Sequence, residues 1–331
     1  MKHTTVLTVL VLVFLSITCR PERVDFVNEE GYVAGAEGAR LYYRVLGTGR
    51  DSIVVLHGGP GAGMNSILSS VLPLTERHVL IFYDQRGGGR SELPDDTTKL
   101  QARYFIEDLE MIRRHFRLNR MNVIAHSFGS VLLAKYAKDH PGRLRRVLFH
   151  GATGPRRPEA GQYYAAKAAM PPADTALAVK ASSLLKLLLS GEAADPALTC
   201  QEYERIGLQL AMMRGESANY SGTTCDAPVE AIRYYYRYTA QIAPRTFGWD
   251  FTNGLKDVKA PLLVIYGVND SLGIPMQRAW LTAFRNSRLL LIPKAGKTAF
   301  SDNPDFVFPA LETFFDGQWP EQAEPSGQKT G

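Results

Sequence analysis

From about residue 31 the chain alternates short apolar runs with stretches of helical period. The apolar runs fall at 41–46, 52–57, 78–83, 120–125, 146–149, 261–266 and 288–292. Continuous runs of this length suit strands buried on both faces of a sheet. Between them, Phe105, Leu109, Ile112 and Phe116 recur at the spacing of one helix face, and 131–137 and 307–315 read as further helices. Strand and helix in alternation predict an α/β fold with a mostly parallel central sheet.

Residues 155–244 break that alternation. They are rich in Ala, Leu and Tyr, with helical periods at 176–189 and 201–213 and Asp174 placed to cap the first. The stretch reads as a helical cap inserted into a core made of 31–154 and 245–316. Residues 19–30 read as a polar tether, and 317–331 as a polar, disordered tail.

The length of 331 residues allows a large core, with 45% hydrophobic and 21% charged residues. A net charge of +5 raises the question of nucleic acid. The basic residues are scattered and form no long run or nucleic-acid motif, so no nucleic-acid partner is expected.

The first 18 residues read as an export signal. Lys2 precedes an apolar stretch at 6–17 that is short for a membrane span. It ends at Cys19, in the context of a bacterial lipoprotein signal, although Thr18 is bulkier than the usual residue before a lipidated cysteine. The expectation is an exported protein tethered to a membrane through lipid on Cys19; an ordinary cleaved signal or an uncleaved anchor are the alternatives. Cys200 and Cys225 then remain. An oxidising compartment permits a disulfide between them, and two buried free thiols are the alternative. No ligand cluster suggests a metal, and no cofactor is expected.

Chemistry concentrates at the ends of the apolar runs. Ala125-His126-Ser127-Phe128-Gly129 places a serine between small residues on a strand-to-helix turn, the context of a nucleophile elbow. His57-Gly58-Gly59-Pro60-Gly61 follows another run, and glycines there let backbone N–H groups approach a developing oxyanion. The N–H groups of Gly59 and Phe128 are the expected donors. A third segment, 83–91, reads YDQRGGGRS.

HGGPG, then the DQRGGGRS segment, then the serine elbow resemble the proline iminopeptidase family of α/β hydrolases, from about residue 31 to 315. The resemblance implies an α/β-hydrolase fold, a helical cap over the active site, and removal of an N-terminal residue, often proline, from small peptides or amides through an acyl-enzyme. Relatives in this group also cleave esters and lactones. Asp270, after the 261–266 run, matches the family's acid, which orients a histidine.

That histidine is missing. All seven histidines lie at or before His150. The segment where the family's histidine falls reads Leu289-Leu-Leu-Ile-Pro-Lys-Ala-Gly-Lys297. Lys297 therefore replaces the base. A lysine can take a serine's proton only when neutral, and a neighbouring carboxylate favours the ammonium. The expectation is an ion pair between Lys297 and Asp270, and hence weak or no activity. Lys297 as a base, or His150 reaching Ser127 from the next strand, would be rescues. The alternative to an enzyme is a catalytically impaired relative that binds a peptide or small ligand in the capped cleft. In the family, acidic cap residues hold the substrate's amine; Glu202, Glu204 and Glu230 are the candidates here. The Tyr234–Tyr238 run either packs the cap or lines a pocket.

Overall fold

The computed structural model describes residues 26–216 and 222–325. The expected export signal at 1–18, Cys19 with its lipid, and the last six residues lie outside the described residues.

Nine strands form one sheet: β1 (Val27–Ala34), β2 (Arg40–Gly47), β3 (Ser52–Leu56), β4 (Val79–Tyr83), β5 (Met121–His126), β6 (Leu144–His150), β7 (Leu262–Gly267), β8 (Ser287–Ile292) and β9 (Glu324–Pro325). Their order is β1-β2-β4-β3-β5-β6-β7-β8-β9. Strands β3 to β8 run parallel, while β1, β2 and β9 join the edges antiparallel. Two expectations are corrected at these edges. The end of the tether forms β1, whose outward Glu29 and Glu30 make it read as polar, and part of the tail forms β9 against β8.

Successive residues of a strand point to opposite faces, and both faces here are apolar. Val54, Val123, Val147 and Val264 face one core with helices α2 (Ala102–His115), α3 (Gly129–Asp139) and α9 (Ile274–Ala283). Their neighbours Ile53, Ile124, Leu148 and Ile265 face the other, with α1 (Leu68–Val71), α10 (Ala299–Asp302) and α11 (Pro304–Phe315). Each such side chain contributes about 1.5–3 kcal/mol on burial.

Between β6 and β7 the chain leaves the sheet and builds the cap from α4 (Arg157–Ala169), α5 (Thr175–Ser190), α6 (Pro196–Met213), α7 (Val229–Tyr234) and α8 (Ala240–Phe247). Asp174 accepts from the Leu177 N–H at 2.9 Å and starts α5 as a side-chain cap. Cys200 and Cys225 are bonded to one another and stand in a small apolar cluster with Leu188 and Tyr236.

The order of strands turns back around β3, whose neighbours β4 and β5 lie on opposite sides. In such sheets ligands bind beyond the carboxyl ends of the strands at this reversal. His57, Asp84, Ser127, Asp270 and Lys297 all follow carboxyl ends of parallel strands or the loops leaving them.

Candidate active site

Ser127 sits between β5 and α3 with φ of +52°, a left-handed backbone that costs a non-glycine residue about 1–2 kcal/mol. Its surroundings hold it there. The Ser127 N–H donates to the His150 carbonyl at 3.1 Å, and its own carbonyl accepts from the Thr153 N–H at 3.2 Å and the Ser130 hydroxyl at 2.7 Å. A Cβ on Gly58 would stand 3.0 Å from the Ser127 Cβ, so any larger residue there would press on the serine. The next peptide N–H, that of Gly59, belongs to this stretch. Phe128 opens α3 and packs edge-on against Phe247 and Trp249. Gly59 and Phe128 thus flank the serine on two loops fixed by the sheet.

The DQRGGGRS segment braces the HGGPG loop. Asp84 accepts from the Met64 N–H at 2.6 Å and the Arg90 N–H at 2.8 Å, and burial pushes its carboxyl up to about 6. The Gln85 side-chain amide donates to the His57 carbonyl at 2.9 Å, while its oxygen accepts from the Gly61 N–H at 3.3 Å. Arg86 and Asp108, each 1% exposed, form a two-pronged ion pair with both contacts at 2.6 Å. His57 belongs to the same brace. Its Nε2 accepts from the Gln85 N–H at 3.0 Å, and its Nδ1 lies 2.8 Å from the Gly58 carbonyl, so it is the neutral Nδ1–H tautomer. Burial lowers its pKa to about 4.

The cap is seated on these loops. Residues Tyr235–Thr239 form a π-helical turn, and the Thr239 hydroxyl donates to the Gly87 carbonyl at 2.7 Å. A Cβ on Gly61 or Gly87 would strike Thr239 at 2.5 or 2.4 Å. The tyrosine run packs around this turn: Tyr236 lies against the disulfide and Tyr234 donates to the Pro94 carbonyl.

Asp270 is 3% exposed, and both oxygens of its carboxylate hold partners. Oδ2 accepts from the hydroxyls of Tyr266 at 2.6 Å and Tyr163 at 2.7 Å, and Oδ1 lies 3.1 Å from Lys167 Nζ. Burial alone would raise its pKa, but the two phenols and the Lys167 ammonium outweigh it and hold the carboxyl below its ordinary value. Lys167 also pairs with Glu216 at 2.7 Å, and Glu216 with Arg214 at 3.0 Å.

The expected Lys297–Asp270 ion pair is therefore corrected: Lys167, from cap helix α4, holds the acid instead. Lys297 follows β8 with its stem against Gly151 and its ammonium 6.0 Å from the centre of the Tyr164 ring. Among the described residues no carboxylate lies within ion-pair distance of it. The His150 rescue is also set aside. His150 Nδ1 is 3.0 Å from His126 Nδ1, its Nε2 accepts from the Phe300 N–H at 3.5 Å, and its ring packs on Phe300. Both imidazoles are buried; burial first, and then the Lys297 charge, lowers His126 to about 3, and burial, then His126, then Lys297 push His150 well down. Among the described residues no imidazole bonds to the Ser127 hydroxyl.

Two of the three acidic cap candidates are engaged elsewhere. Glu202 pairs with Arg205 at 2.7 Å and Lys180 at 2.6 Å on an exposed face. Glu204 accepts from the Thr223 hydroxyl at 2.7 Å and the Thr224 N–H at 2.9 Å beside the disulfide. Glu230 borders a surface cavity of about 420 Å³ with Pro94, Arg233 and Tyr234. None of the three bonds to Ser127, Asp270 or Lys297. The sulfurs of Cys200 and Cys225 are near Glu204, but bonded to each other they offer no thiolate to a metal. The residues that sequence reasoning missed are Tyr163 and Lys167. Their spacing of four puts both on one face of α4, which is a signal. Their partner lies over 100 residues further on, which is not.

A nucleophile elbow, a glycine loop beside it and an acid after β7, beneath a helical cap, define an α/β hydrolase. The family model described as the alpha/beta hydrolase fold matches residues 51–304, and the chain belongs to that family. More particularly, it is similar to proline iminopeptidases. It is 37% identical to that of Heyndrickxia coagulans over 122 residues, which span 36% of this chain and 42% of that protein. It is 26% identical to that of Lactobacillus delbrueckii subsp. bulgaricus over 281 residues, 79% of this chain and 89% of that protein. The chain thus spans less than half of the first relative and most of the second. The crystal structure of the Mycobacterium smegmatis proline iminopeptidase superposes with a TM-score of 0.60 at 17% identity, over 87% of this chain and 98% of that one, a likeness of fold.

Proposed function

We propose that the chain is a proline iminopeptidase-like hydrolase frame that holds a small peptide or amide beneath its cap and turns it over at most slowly. The nucleophile and its two N–H donors are retained. The relay that would activate the nucleophile is not: a serine hydroxyl attacks only when a base takes its proton. The observation that carries the reading is the occupation of Asp270 by Lys167, Tyr163 and Tyr266. Both of its oxygens already hold partners, so an imidazole would have to share Oδ1 with the Lys167 ammonium. Loss of a triad member lowers kcat by several orders of magnitude, and an oxyanion hole preserves some rate over water.

The test is hydrolysis of a proline aryl-amide by the purified protein beside its Ser127→Ala variant. The expected result is a wild-type rate within a few-fold of the variant, with the amide still binding. A wild-type rate 100-fold above Ser127→Ala would mean that a working base exists and would end this reading.

The proposal extends to place: an exported protein held at a membrane by lipid on Cys19. The sequence at 2–19 supports it, and so does a Cys200–Cys225 bond, which an oxidising compartment maintains. Cys19→Ser should move the protein from the membrane fraction to the soluble one; unchanged fractionation would refute the anchor.

A further inference from the structure

Around Asp270 the charged side chains are paired with one another, and Lys297, which follows β8, is not paired with any described carboxylate. Asp270 gives its charge to Lys167, and Glu216 is shared between Lys167 and Arg214. Asp302, the carboxylate nearest in sequence after Lys297, accepts from the Gly296 N–H at 2.9 Å and the Thr298 hydroxyl at 3.1 Å. Lys297 is left as a cation without a described carboxylate partner.

Its position makes this charge more than a solvated surface lysine. The Lys297 Cγ lies 3.1 Å from where a Gly151 Cβ would stand. Gly151 follows His150, whose carbonyl takes the Ser127 N–H. The lysine stem thus runs beside the end of β6, the strand next to the one that carries the nucleophile. The imidazoles beneath it, His126 and His150, are neutral and bring no competing charge. The Gly59 and Phe128 N–H groups, on the two loops that flank the serine, are donors without charge, and so is the serine hydroxyl. Lys297, beside the end of the neighbouring strand β6, adds a positive charge to that set.

Resting on the reading of the site as a ligand-holding frame, we propose that the cleft at Ser127 is a carboxylate-binding site, in which Lys297 neutralises the free carboxylate of an amino acid or of a peptide's carboxyl end and the Gly59 and Phe128 N–H groups receive its oxygens. The substitution that removes the base then supplies the counterion. A carboxylate has the negative oxygen that an amide acquires only in the transition state, so the oxyanion donors suit it in its ground state. The favoured ligand is the acid rather than the amide, product-like rather than substrate-like.

Saturation-transfer proton NMR titration tests this with three probes: L-proline, L-prolinamide and glycyl-L-proline. The amide differs from proline only in lacking the carboxylate charge, and any turnover would appear in the same spectrum. The expected result is at least tenfold tighter binding of proline or of glycyl-L-proline than of prolinamide; which of the two binds distinguishes a free amino acid from a peptide end. Lys297→Met should abolish that preference while leaving prolinamide binding in place, and Lys297→Arg should keep it. Equal affinity for acid and amide, or a preference that survives Lys297→Met, overturns the carboxylate site while leaving the ligand-holding frame standing. If none of the three probes binds, the frame reading fails for prolyl ligands and the carboxylate site falls with it.

Discussion

Lys167 of cap helix α4 and Asp270 of the sheet domain are joined across the cap boundary, Nζ to Oδ1, at 3.1 Å. The lysine stands as counterion to the carboxylate that elsewhere in this fold serves a histidine. Restoring the histidine alone therefore does not restore the relay, because a new imidazole at 297 would compete for an acid already paired. Lys297→His is expected to raise kcat/KM on a proline aryl-amide by less than tenfold, and Lys167→Met/Lys297→His by at least tenfold over either single variant. A single Lys297→His variant as active as the double would show that Lys167 does not restrain Asp270.

Asp270 is expected to matter more to the fold than to the chemistry. Asp270→Ala strips a carboxylate from Lys167 and leaves the hydroxyls of Tyr163 and Tyr266 without their acceptor. Removing one partner of a buried pair costs about 3–5 kcal/mol, and the part-exposed Lys167 places this case near the lower figure. Urea unfolding would register it as a lowered midpoint. A loss under 1 kcal/mol would mean that the cap is held chiefly by Thr239 and the apolar contacts.

The brace under the HGGPG loop makes a similar claim. Arg86→Met leaves Asp108 buried without its guanidinium and should cost about 3–5 kcal/mol. Amide hydrogen exchange should accelerate at 57–64, because the Arg86 segment carries Gln85 and Asp84 to that loop. Exchange confined to α2 would locate the brace elsewhere.

Stability should fall as the solution is acidified from pH 7 to pH 5. His57, His126 and His150 have folded pKa values below the ordinary 6.5, the first two at about 4 and about 3. Below 6.5 the unfolded chain binds protons that the folded one refuses, so their contribution is complete above that pH and is lost on acidification. Asp84, raised to about 6, works in the opposite sense, because between its unfolded value and 6 the folded form holds the extra proton. Three imidazoles against one carboxyl leave a net fall of roughly 1–3 kcal/mol per pH unit, since each proton is worth about 1.4. Urea midpoints at pH 7, 6 and 5 measure it. A flat profile would place the imidazoles in water.

What could be read from the sequence was whatever the local pattern decides. The strands β3 to β8 are continuous apolar runs because both faces are buried, and the glycines at their ends mark where a loop must pass close to a neighbour. β1 escaped because its edge position leaves Glu29 and Glu30 in water, so its pattern resembles a tether. That position 297 is a lysine and that no histidine follows His150 was legible. The competitor for Asp270 was not, because α4 meets β7 only once the cap has docked, and spacing along the chain says nothing of that meeting. Nor were the partners of Glu202 and Glu204, Arg205 and Thr223, for the same reason: they are set by how the cap folds.

The segment Asp84–Ser91 spends each side chain it has on architecture. Asp84 and Gln85 hold a neighbouring loop, Arg86 pairs with Asp108 of α2, and the Ser91 hydroxyl donates to the Asp84 carbonyl at 2.6 Å. Selection for a stable chain is therefore enough to preserve this signature, whether or not selection for turnover persists. A lineage can shed its chemistry in one codon and go on wearing the emblem of the trade, so groups of proteins gathered by that emblem should be expected to contain retired members alongside working ones.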